Sequence, residues 1–275
     1  MPAYDGKVRK ELLSIPGVKL MQRPSVSLQF YGMNCQSPVL RQPELRRALS
    51  LAIDRRRLAS KAYEGRFELA RGLIPPGILG YNPEILGIED DLSKAREQIK
   101  KVLPGNSGDG LSLEIVSTVQ TPFAMAELEF VADCWKEIGV TLKPKFIPDW
   151  REFERYIQSS SMQIYRYVWY MDIPDPDNIM QAIFGSDSKV NYMRYHNAEV
   201  DRELIAGRLV LDPAERAKIY QKIESIVERE LPIIPLIHLS IDQAYQPNVN
   251  GTELNALGRH KTSFHRVWLS SDESK

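Results

Sequence analysis

The residues best suited to hold or transform a ligand lie close together between positions 166 and 178. This stretch reads Arg-Tyr-Val-Trp-Tyr-Met-Asp-Ile-Pro-Asp-Pro-Asp-Asn and includes the carboxylates of Asp172, Asp175 and Asp177. Carboxylates hold cationic groups through charge-assisted hydrogen bonds, and two adjacent carboxyl groups can act as a general acid and base. Aspartate beside proline is also typical of turns, where its side chain accepts hydrogen bonds from nearby amides. Both interpretations stay open for Asp175 and Asp177.

A strand is predicted directly before these carboxylates. Residues 164–169 are mainly aromatic or β-branched, the types that pleated backbone favours. Pro174 and Pro176 then end the strand, because proline has no amide hydrogen to donate. Asn178 is predicted to cap a short helix over 179–184. In open α/β sheets, ligands bind in the crevice beyond the carboxyl ends of the strands, and this stretch lies there.

The preceding elements alternate between strand and helix. Strand patterns at 111–117, 140–146 and 162–169 are separated by helical patterns at 122–138 and 150–159. A strand–helix–strand–helix–strand order at this spacing indicates parallel strands joined by helices. The predicted fold class is therefore α/β, with a mainly parallel βαβ sheet covered by helices.

Several capping signals mark further helices. Gln42 followed by Pro43 opens one helix, since proline is acceptable at the first helical position. Asp54 and Asn197 are predicted to cap two others, and Asp212 another, with a glutamate three residues later that completes a capping box. Residues 232–239 are typical of a strand.

Composition excludes some classes of function. The 275 residues carry 36 basic and 36 acidic side chains, so no net field attracts the chain to nucleic acid or anionic lipid. The basic cluster 55–57 is interpreted as a solvated helix face. No apolar run reaches the roughly 18 residues of a membrane span. Cys35 and Cys134 fit no metal or redox spacing, and are either buried apolar residues or one disulfide.

Catalytic and metal-binding patterns are absent from the sequence. Four histidines, His196, His238, His260 and His265, do not form a set of ligands with metal-site spacing. There is no nucleophile elbow, no phosphate-binding loop and no dinucleotide fingerprint. No cofactor, metal or catalytic residue is therefore predicted, and a binding function is favoured over an enzyme. The competing enzyme hypothesis uses Asp172 and Asp175 as an acid/base pair, and a third hypothesis is an interaction module.

The order of segments resembles the extracytoplasmic solute-binding proteins of ABC importers, in the oligopeptide, dipeptide and nickel class known as family 5. The stretches that carry the resemblance cover about residues 16–240 in the family's order. They are Phe-Tyr-Gly-Met-Asn-Cys-Gln-Ser-Pro at 30–38, Pro-Glu-Leu-Arg-Arg-Ala-Leu-Ser-Leu-Ala-Ile-Asp at 43–54, Leu-Ile-Pro-Pro-Gly at 73–77 with Gly80 and Tyr81, Trp-Tyr-Met-Asp-Ile-Pro-Asp-Pro at 169–176, Tyr-His-Asn-Ala-Glu-Val-Asp at 195–201, and Leu-Pro-Ile-Ile-Pro-Leu at 231–236.

The chain differs from the family pattern at two positions and in its length. Val168 stands where the family usually has glycine, and Ile173 replaces an aromatic or polar residue. Family members are roughly twice as long, with an N-terminal lobe, a signal peptide and often a lipid anchor, so this chain is interpreted as a truncated C-terminal lobe. The expected organisation is a hinge or connecting segment at 1–40, a substrate-binding lobe at 41–240, and a returning tail at 241–275 that would pack on the missing lobe.

The resemblance also implies a mechanism and a site. Two lobes of such proteins close over a solute and present it to a membrane permease. In peptide-binding members, the aspartate at the position of Asp172 pairs with the ligand's α-ammonium. Arg166 matches a cleft arginine that takes a carboxylate, or is a surface charge on the strand. Trp169 is a wall of the site or a core aromatic, and Tyr170 is predicted beside it.

The resulting functional hypothesis is a component of an ABC importer that binds an oligopeptide or dipeptide. Sugar oligomers, nickel chelates and opines stay open as alternative solutes, since proteins of this class share the scaffold. The expected partners are a peptide or other small solute, the ABC permease subunits and the chain's own N-terminal lobe, with no nucleic acid. The expected location is the periplasm or the extracellular face of the bacterial membrane.

Overall fold

A six-stranded sheet lies at the centre of the computed structural model, which describes residues 6–85, 87–102, 110–258 and 263–270. Its strands, in chain order, are β2 (Ser27–Met33), β3 (Glu68–Leu69), β4 (Leu111–Ser117), β5 (Val140–Phe146), β6 (Ile164–Tyr170) and β7 (Ile233–His238). Their order across the sheet is β3-β7-β2-β6-β4-β5. Strand β1 (Lys19–Pro24) pairs with β8 (Ser240–Tyr245) in a separate two-stranded ribbon, and β9 (Val249–Asn250) pairs with β10 (Trp268–Leu269).

Helices cover both faces of the sheet. In chain order they are α1 (Gly6–Ser14), α2 (Pro43–Leu51), α3 (Arg55–Lys61), α4 (Leu92–Val102), α5 (Pro122–Lys136), α6 (Trp150–Ile157), α7 (Pro176–Phe184), α8 (Ala198–Leu209) and α9 (Pro213–Glu230). One apolar cluster joins the sheet to α6, α7, α8 and α9, and a second joins its other face to α2, α3, α4 and α5. The predicted α/β class is thus confirmed as two helical layers around one sheet.

The predicted strand–helix–strand–helix–strand unit is present, and it supplies the parallel part of the sheet. Strand β4 pairs in parallel with both β5 and β6. Strand β2 pairs antiparallel with β6 and with β7, and β3 pairs antiparallel with β7. Four strands (β4, β5, β6 and β7) therefore run in one direction, and the parallel pairings are confined to the predicted unit.

Strand β2 lies within the range 1–40 that the sequence analysis assigns to a connecting segment. All seven of its residues are buried, and it is hydrogen-bonded on both sides, to β6 and β7. The sheet therefore includes residues from before position 41. Strand β1, which precedes it, is largely exposed and pairs outside the sheet.

Three predicted helix caps are confirmed and one is wrong. The side chains of Asp54, Asn197 and Asp212 accept hydrogen bonds from amides in the first turns of α3, α8 and α9. Helix α7, however, is capped by Asp175 and not by Asn178. Pro176 occupies the first turn because its missing amide costs nothing there, and it holds the preceding residue in the extended conformation that a cap requires.

Two titratable side chains, Glu224 and His238, are buried, and burial shifts their pKa values in opposite directions. The carboxylate of Glu224 in α9 accepts hydrogen bonds from the amides of Leu73 and Ile74 through one oxygen, and its other oxygen has no partner among the described residues. Burial raises the pKa of Glu224 to about 7. Burial lowers the pKa of His238 to about 4, although its ring nitrogen Nδ1 lies 2.8 Å from the carbonyl oxygen of Ser27.

Glu224 and His238 should change the stability of the fold in opposite directions as the pH rises. Between about pH 4.5 and 7, folded Glu224 holds a proton that the unfolded chain releases, so its contribution to stability falls as the pH rises. Between about pH 6.5 and 4, the unfolded chain protonates His238 and the folded protein does not, so stability falls as the pH falls.

The variant Glu224→Gln should therefore raise the free energy of unfolding at pH 8. The expected gain is on the order of 2–3 kcal/mol, because each pKa unit corresponds to about 1.4 kcal/mol. The gain should vanish near pH 4, and urea denaturation across this range measures it. The exposed Glu129→Gln serves as the control; an equal gain in that variant, or none in Glu224→Gln, contradicts the prediction.

Candidate functional site

A cavity of about 390 Å³ opens at the carboxyl ends of β4 and β6. We call it the carboxyl-edge pocket. Its volume lies within the roughly 300–1,000 Å³ typical of small-molecule sites, and its position is the one where open α/β sheets bind ligands. The residues that line it are Gln29, Tyr63, Phe67, Thr118, Val119, Thr121, Pro122, Phe123, Trp150, Arg166, Tyr167, Val168, Tyr170 and Leu239.

The segment that follows β4, the beginnings of α5 and α6, and strand β6 all contribute residues to this pocket. Residues 118–121 leave β4 and lead into α5, whose first turn is capped by Thr121 through the amide of Ala124. Trp150 is the first residue of α6 and is half exposed at the pocket. Alternation along β6 directs Arg166, Val168 and Tyr170 to the same side of the sheet.

Aromatic side chains form the walls. The ring of Phe67 makes edge contacts with Tyr63 and Phe123, at centroid distances of 5.6 and 5.8 Å. Behind them, the guanidinium of Arg66 lies 4.6 Å from the ring centroid of Phe123, where it can make a cation–π contact. These packed rings hold the wall in one arrangement.

A buried polar network forms the floor. Arg166 donates to both carboxylate oxygens of Glu127, from Nε at 2.9 Å and from Nη2 at 2.8 Å. The same Nη2 donates to Oε1 of Gln29 at 2.9 Å. Nε2 of Gln29 donates to Glu127 at 2.6 Å and to the hydroxyl of Tyr63 at 3.0 Å. Glu127 is fully buried and Arg166 is 8% exposed.

This network places the positive charge of Arg166 directly against the negative charge of Glu127. Burial by itself would lower the pKa of Arg166, but the charge and the hydrogen bonds of Glu127 outweigh it and raise that pKa above its ordinary value. Burial, together with the negative charge of Glu127, raises the pKa of Tyr63 well above its ordinary value, so the phenol stays protonated. The floor therefore presents polar groups without net charge.

The structure brings two of the four predicted site residues to this pocket. Arg166 and Tyr170 line it, and the burial of Arg166 rules out the alternative of a surface charge. Trp169 points to the opposite face of β6, where it packs on the core and its Nε1 donates to Oδ1 of Asn178 at 3.0 Å. Of the two interpretations of Trp169, a wall of the site or a core aromatic, its packing matches the core aromatic.

Asp172 lies two residues beyond Tyr170 and differs from the aspartates that follow it. Its side chain is exposed and has no hydrogen-bond or ion-pair partner among the residues that the structure describes. Asp172 is not among the residues that line the pocket, and its carboxylate is free to pair with a ligand that extends past Tyr170.

Asp175 and Asp177 have structural partners instead. Asp175 accepts two hydrogen bonds from Arg216, at 2.6 and 2.8 Å, which lower its pKa. Asp177 pairs with Arg208 at 3.1 Å and accepts from the hydroxyl of Tyr220. These contacts tie α7 to α8 and α9. A general acid needs a raised pKa, so the pairing of Asp175 argues against the acid/base hypothesis.

Gln29, Tyr63, Phe123 and Glu127 are not among the site residues predicted from sequence. One signal was available for Glu127: it lies on the buried stripe of α5, between Ala124 and Val131. A charged residue on an apolar helical stripe is rarely buried without a partner, so that position predicts a buried counter-ion.

Other chemistry is limited in the described part of the chain. No group of three or more His, Cys, Asp or Glu side chains is arranged to hold a metal ion there; His260 lies outside the described residues. Cys35 and Cys134 are free thiols, which decides against the disulfide. Among the described helices, none combines the length and apolar character needed to cross a bilayer.

Known proteins with similar sequences are binding proteins. A dipeptide-binding protein of Pseudomonas aeruginosa is 25% identical over 258 residues, which are 91% of this chain and 48% of that protein. Heme-binding protein A of Haemophilus influenzae is 25% identical over 239 residues, 86% of this chain and 44% of its own. The chain therefore spans about half the length of these curated relatives.

A solved structure shows the same fold. The periplasmic binding protein DppA from Helicobacter pylori, in complex with the peptide STSA, superposes with a TM-score of 0.84 at 23% identity. The match covers 98% of this chain and 52% of that protein. The family model described as bacterial extracellular solute-binding proteins, family 5, middle part, matches residues 6–191. On this match, the chain belongs to the family 5 bacterial extracellular solute-binding proteins.

Proposed function

We propose that this chain forms one lobe of an extracytoplasmic solute-binding protein that delivers peptides to an ABC importer. The observation that carries the proposal is the combination of an aromatic-walled pocket with an exposed, unpaired carboxylate, Asp172, two residues along the chain from Tyr170 of the pocket wall. A peptide with a free amino terminus offers the complementary groups, an ammonium and apolar side chains. A relative of similar sequence is named a dipeptide-binding protein, which supports this ligand class.

Each residue near the pocket has a proposed role. Asp172 accepts hydrogen bonds from the ligand's α-ammonium. Tyr170, half exposed beside the pocket, covers the ligand backbone with its ring. Arg166 offers Nη1, which has no partner among the described residues, to an acceptor on the ligand. Trp169 acts from the opposite face by holding Asn178 and the start of α7.

The proposal includes a second lobe. Trp150 and Tyr170, which line the pocket, and Ile173, three residues further along the chain, are large apolar side chains that stay 48%, 50% and 62% exposed. A lobe that closed over the pocket would cover them and remove water from the ligand. The ribbon of β1 and β8 is the proposed connection to that lobe, and residues 241–275 are the proposed returning tail. Closure would create the surface that the permease subunits bind.

Binding of trialanine and of N-acetyl-trialanine tests the peptide assignment. Chemical-shift mapping at millimolar peptide detects weak binding by a half-open site. We expect trialanine to shift resonances of residues 118–123 and 170–172, and the acetylated form to shift them less, since acetylation removes the positive charge.

Two outcomes would contradict the proposal. Equal shifts from both peptides would mean that no carboxylate of the protein binds the ammonium group at the amino terminus. Binding of hemin at these residues, without any effect of either peptide, would favour a porphyrin ligand, the class named for one relative.

A further inference from the structure

We propose that the carboxyl-edge pocket selects an uncharged aromatic side chain of the ligand, because Glu127 neutralises Arg166. This inference rests on the proposed function only in identifying the occupant as a side chain of a peptide. It differs from the expectation drawn from sequence, in which Arg166 takes a ligand carboxylate.

The charges around the pocket support this selectivity. Arg166 is the one charged residue among those described that line it, and both oxygens of Glu127 receive its hydrogen bonds. Arg66, the neighbouring cation, lies behind Phe123 and pairs with Glu64 at 3.5 Å and Asp242 at 4.0 Å. A carboxylate in the pocket would lose its water and meet a cation that is already paired, and such burial is unfavourable.

The shape and the polar floor favour an aromatic occupant. Phe67, Phe123, Tyr63 and Trp150 surround a volume of about 390 Å³, and ring edges and faces pack well on one another. At the floor, Nη1 of Arg166 has no partner among the described residues and can donate one hydrogen bond to a neutral oxygen. A phenol satisfies both features, with its ring between the walls and its hydroxyl at the guanidinium.

Three small probes of equal ring size separate charge from shape. They are p-cresol, p-toluate and 4-methylbenzylamine, which are neutral, anionic and cationic at neutral pH. Chemical-shift titration of the chain should show p-cresol binding at residues 118–123 and 166–170. We expect both ions to bind at least about tenfold more weakly, which is about 1.4 kcal/mol.

The variant Glu127→Gln tests the cause of the selectivity. Glutamine keeps the size of the side chain but leaves the charge of Arg166 unbalanced. The affinity ratio of p-toluate to p-cresol should then rise by about tenfold, again about 1.4 kcal/mol. The matched control is Glu224→Gln, the other buried glutamate, which lies outside the pocket and should leave the ratio unchanged.

The wild-type titration decides the matter even if Glu127→Gln does not fold. Binding of p-toluate as tight as that of p-cresol would overturn the proposal, because Arg166 would then act as a free cation. An unchanged ratio in a folded Glu127→Gln variant would overturn it too.

The same probes distinguish this inference from the proposed function. If p-cresol binds selectively and trialanine does not bind at all, the pocket is as described and the peptide assignment fails. If trialanine binds and the pocket shows no preference among the three probes, the peptide assignment stands and the selectivity fails.

Discussion

Replacement of Arg166 by methionine should lower the free energy of unfolding by about 3–5 kcal/mol at pH 8, since it leaves one member of a buried ion pair without its partner. Glu127 is fully buried, and its two oxygens receive hydrogen bonds from Arg166 at 2.8 and 2.9 Å. In the variant, Gln29 is the main donor left to that carboxylate. Methionine fills most of the volume, so the loss reports the uncompensated charge more than a cavity.

The pH dependence identifies the cause of this loss. Protonation would neutralise the stranded carboxylate in the folded variant, so the deficit relative to wild type should shrink as the pH falls from 8 to 5. The double variant Glu127→Leu with Arg166→Met removes both charges and should recover most of the stability, because apolar side chains of similar volume often replace a buried pair at little cost. Urea denaturation of wild type, Glu127→Leu, Arg166→Met and the double variant gives the coupling between the two sites.

Two results would contradict this interpretation. A deficit that does not depend on pH would attribute the loss to packing. A double variant as unstable as Arg166→Met would show that the two side chains do not act as a pair.

Replacement of Asp172 by asparagine should weaken peptide binding and leave folding unchanged. The side chain is exposed and has no partner among the described residues, so the free energy of unfolding should change by less than about 0.5 kcal/mol. In this chain, where solvent reaches position 172, an exposed ion pair contributes only about 0.2–1 kcal/mol. Where a second lobe closes over the ligand, the loss should rise to about 2–5 kcal/mol, roughly thirtyfold or more in affinity.

Calorimetric and chemical-shift titrations with trialanine measure the peptide affinity, and urea denaturation measures the free energy of unfolding. Asp177→Asn is the matched control: Asp177 pairs with Arg208 and Tyr220, so its loss should affect the packing of α7 on α8 and α9 and leave binding nearly unchanged. The difference between free and N-acetylated peptide should also disappear in Asp172→Asn. If the variant binds trialanine as well as wild type does, Asp172 does not bind the amino terminus.

The balance between Arg166 and Glu127 shows why a motif does not by itself define a binding group. The resemblance places an arginine six residues before the ammonium-binding aspartate, and that position is occupied here. Its donors Nε and Nη2, however, are used by Glu127 from α5 and by Gln29 from β2. An arginine whose charge is already balanced by a glutamate attracts a ligand carboxylate less than a free arginine does, although the local sequence is the same.

The amino-acid sequence by itself determined the features that depend on neighbours within a few turns or one strand. Periodicity identified the unit from β4 to β6, and side-chain oxygens before α3, α8 and α9 marked where those helices begin. The motifs at 30–54, 73–81 and 169–176 identified the family. These signals are local, because helix caps and alternation act over distances that the chain spacing alone defines.

The tertiary structure alone decided the features that depend on distant partners. It placed β2 antiparallel between β6 and β7, paired Arg166 with a glutamate 39 positions away, and turned Trp169 to the opposite face of the sheet from Arg166. It also made Asp175 the cap of α7 and bound it to Arg216. A buried charge is stable only beside its counter-ion, and which counter-ion reaches it is set by the packing of whole helices and strands, which no local pattern specifies.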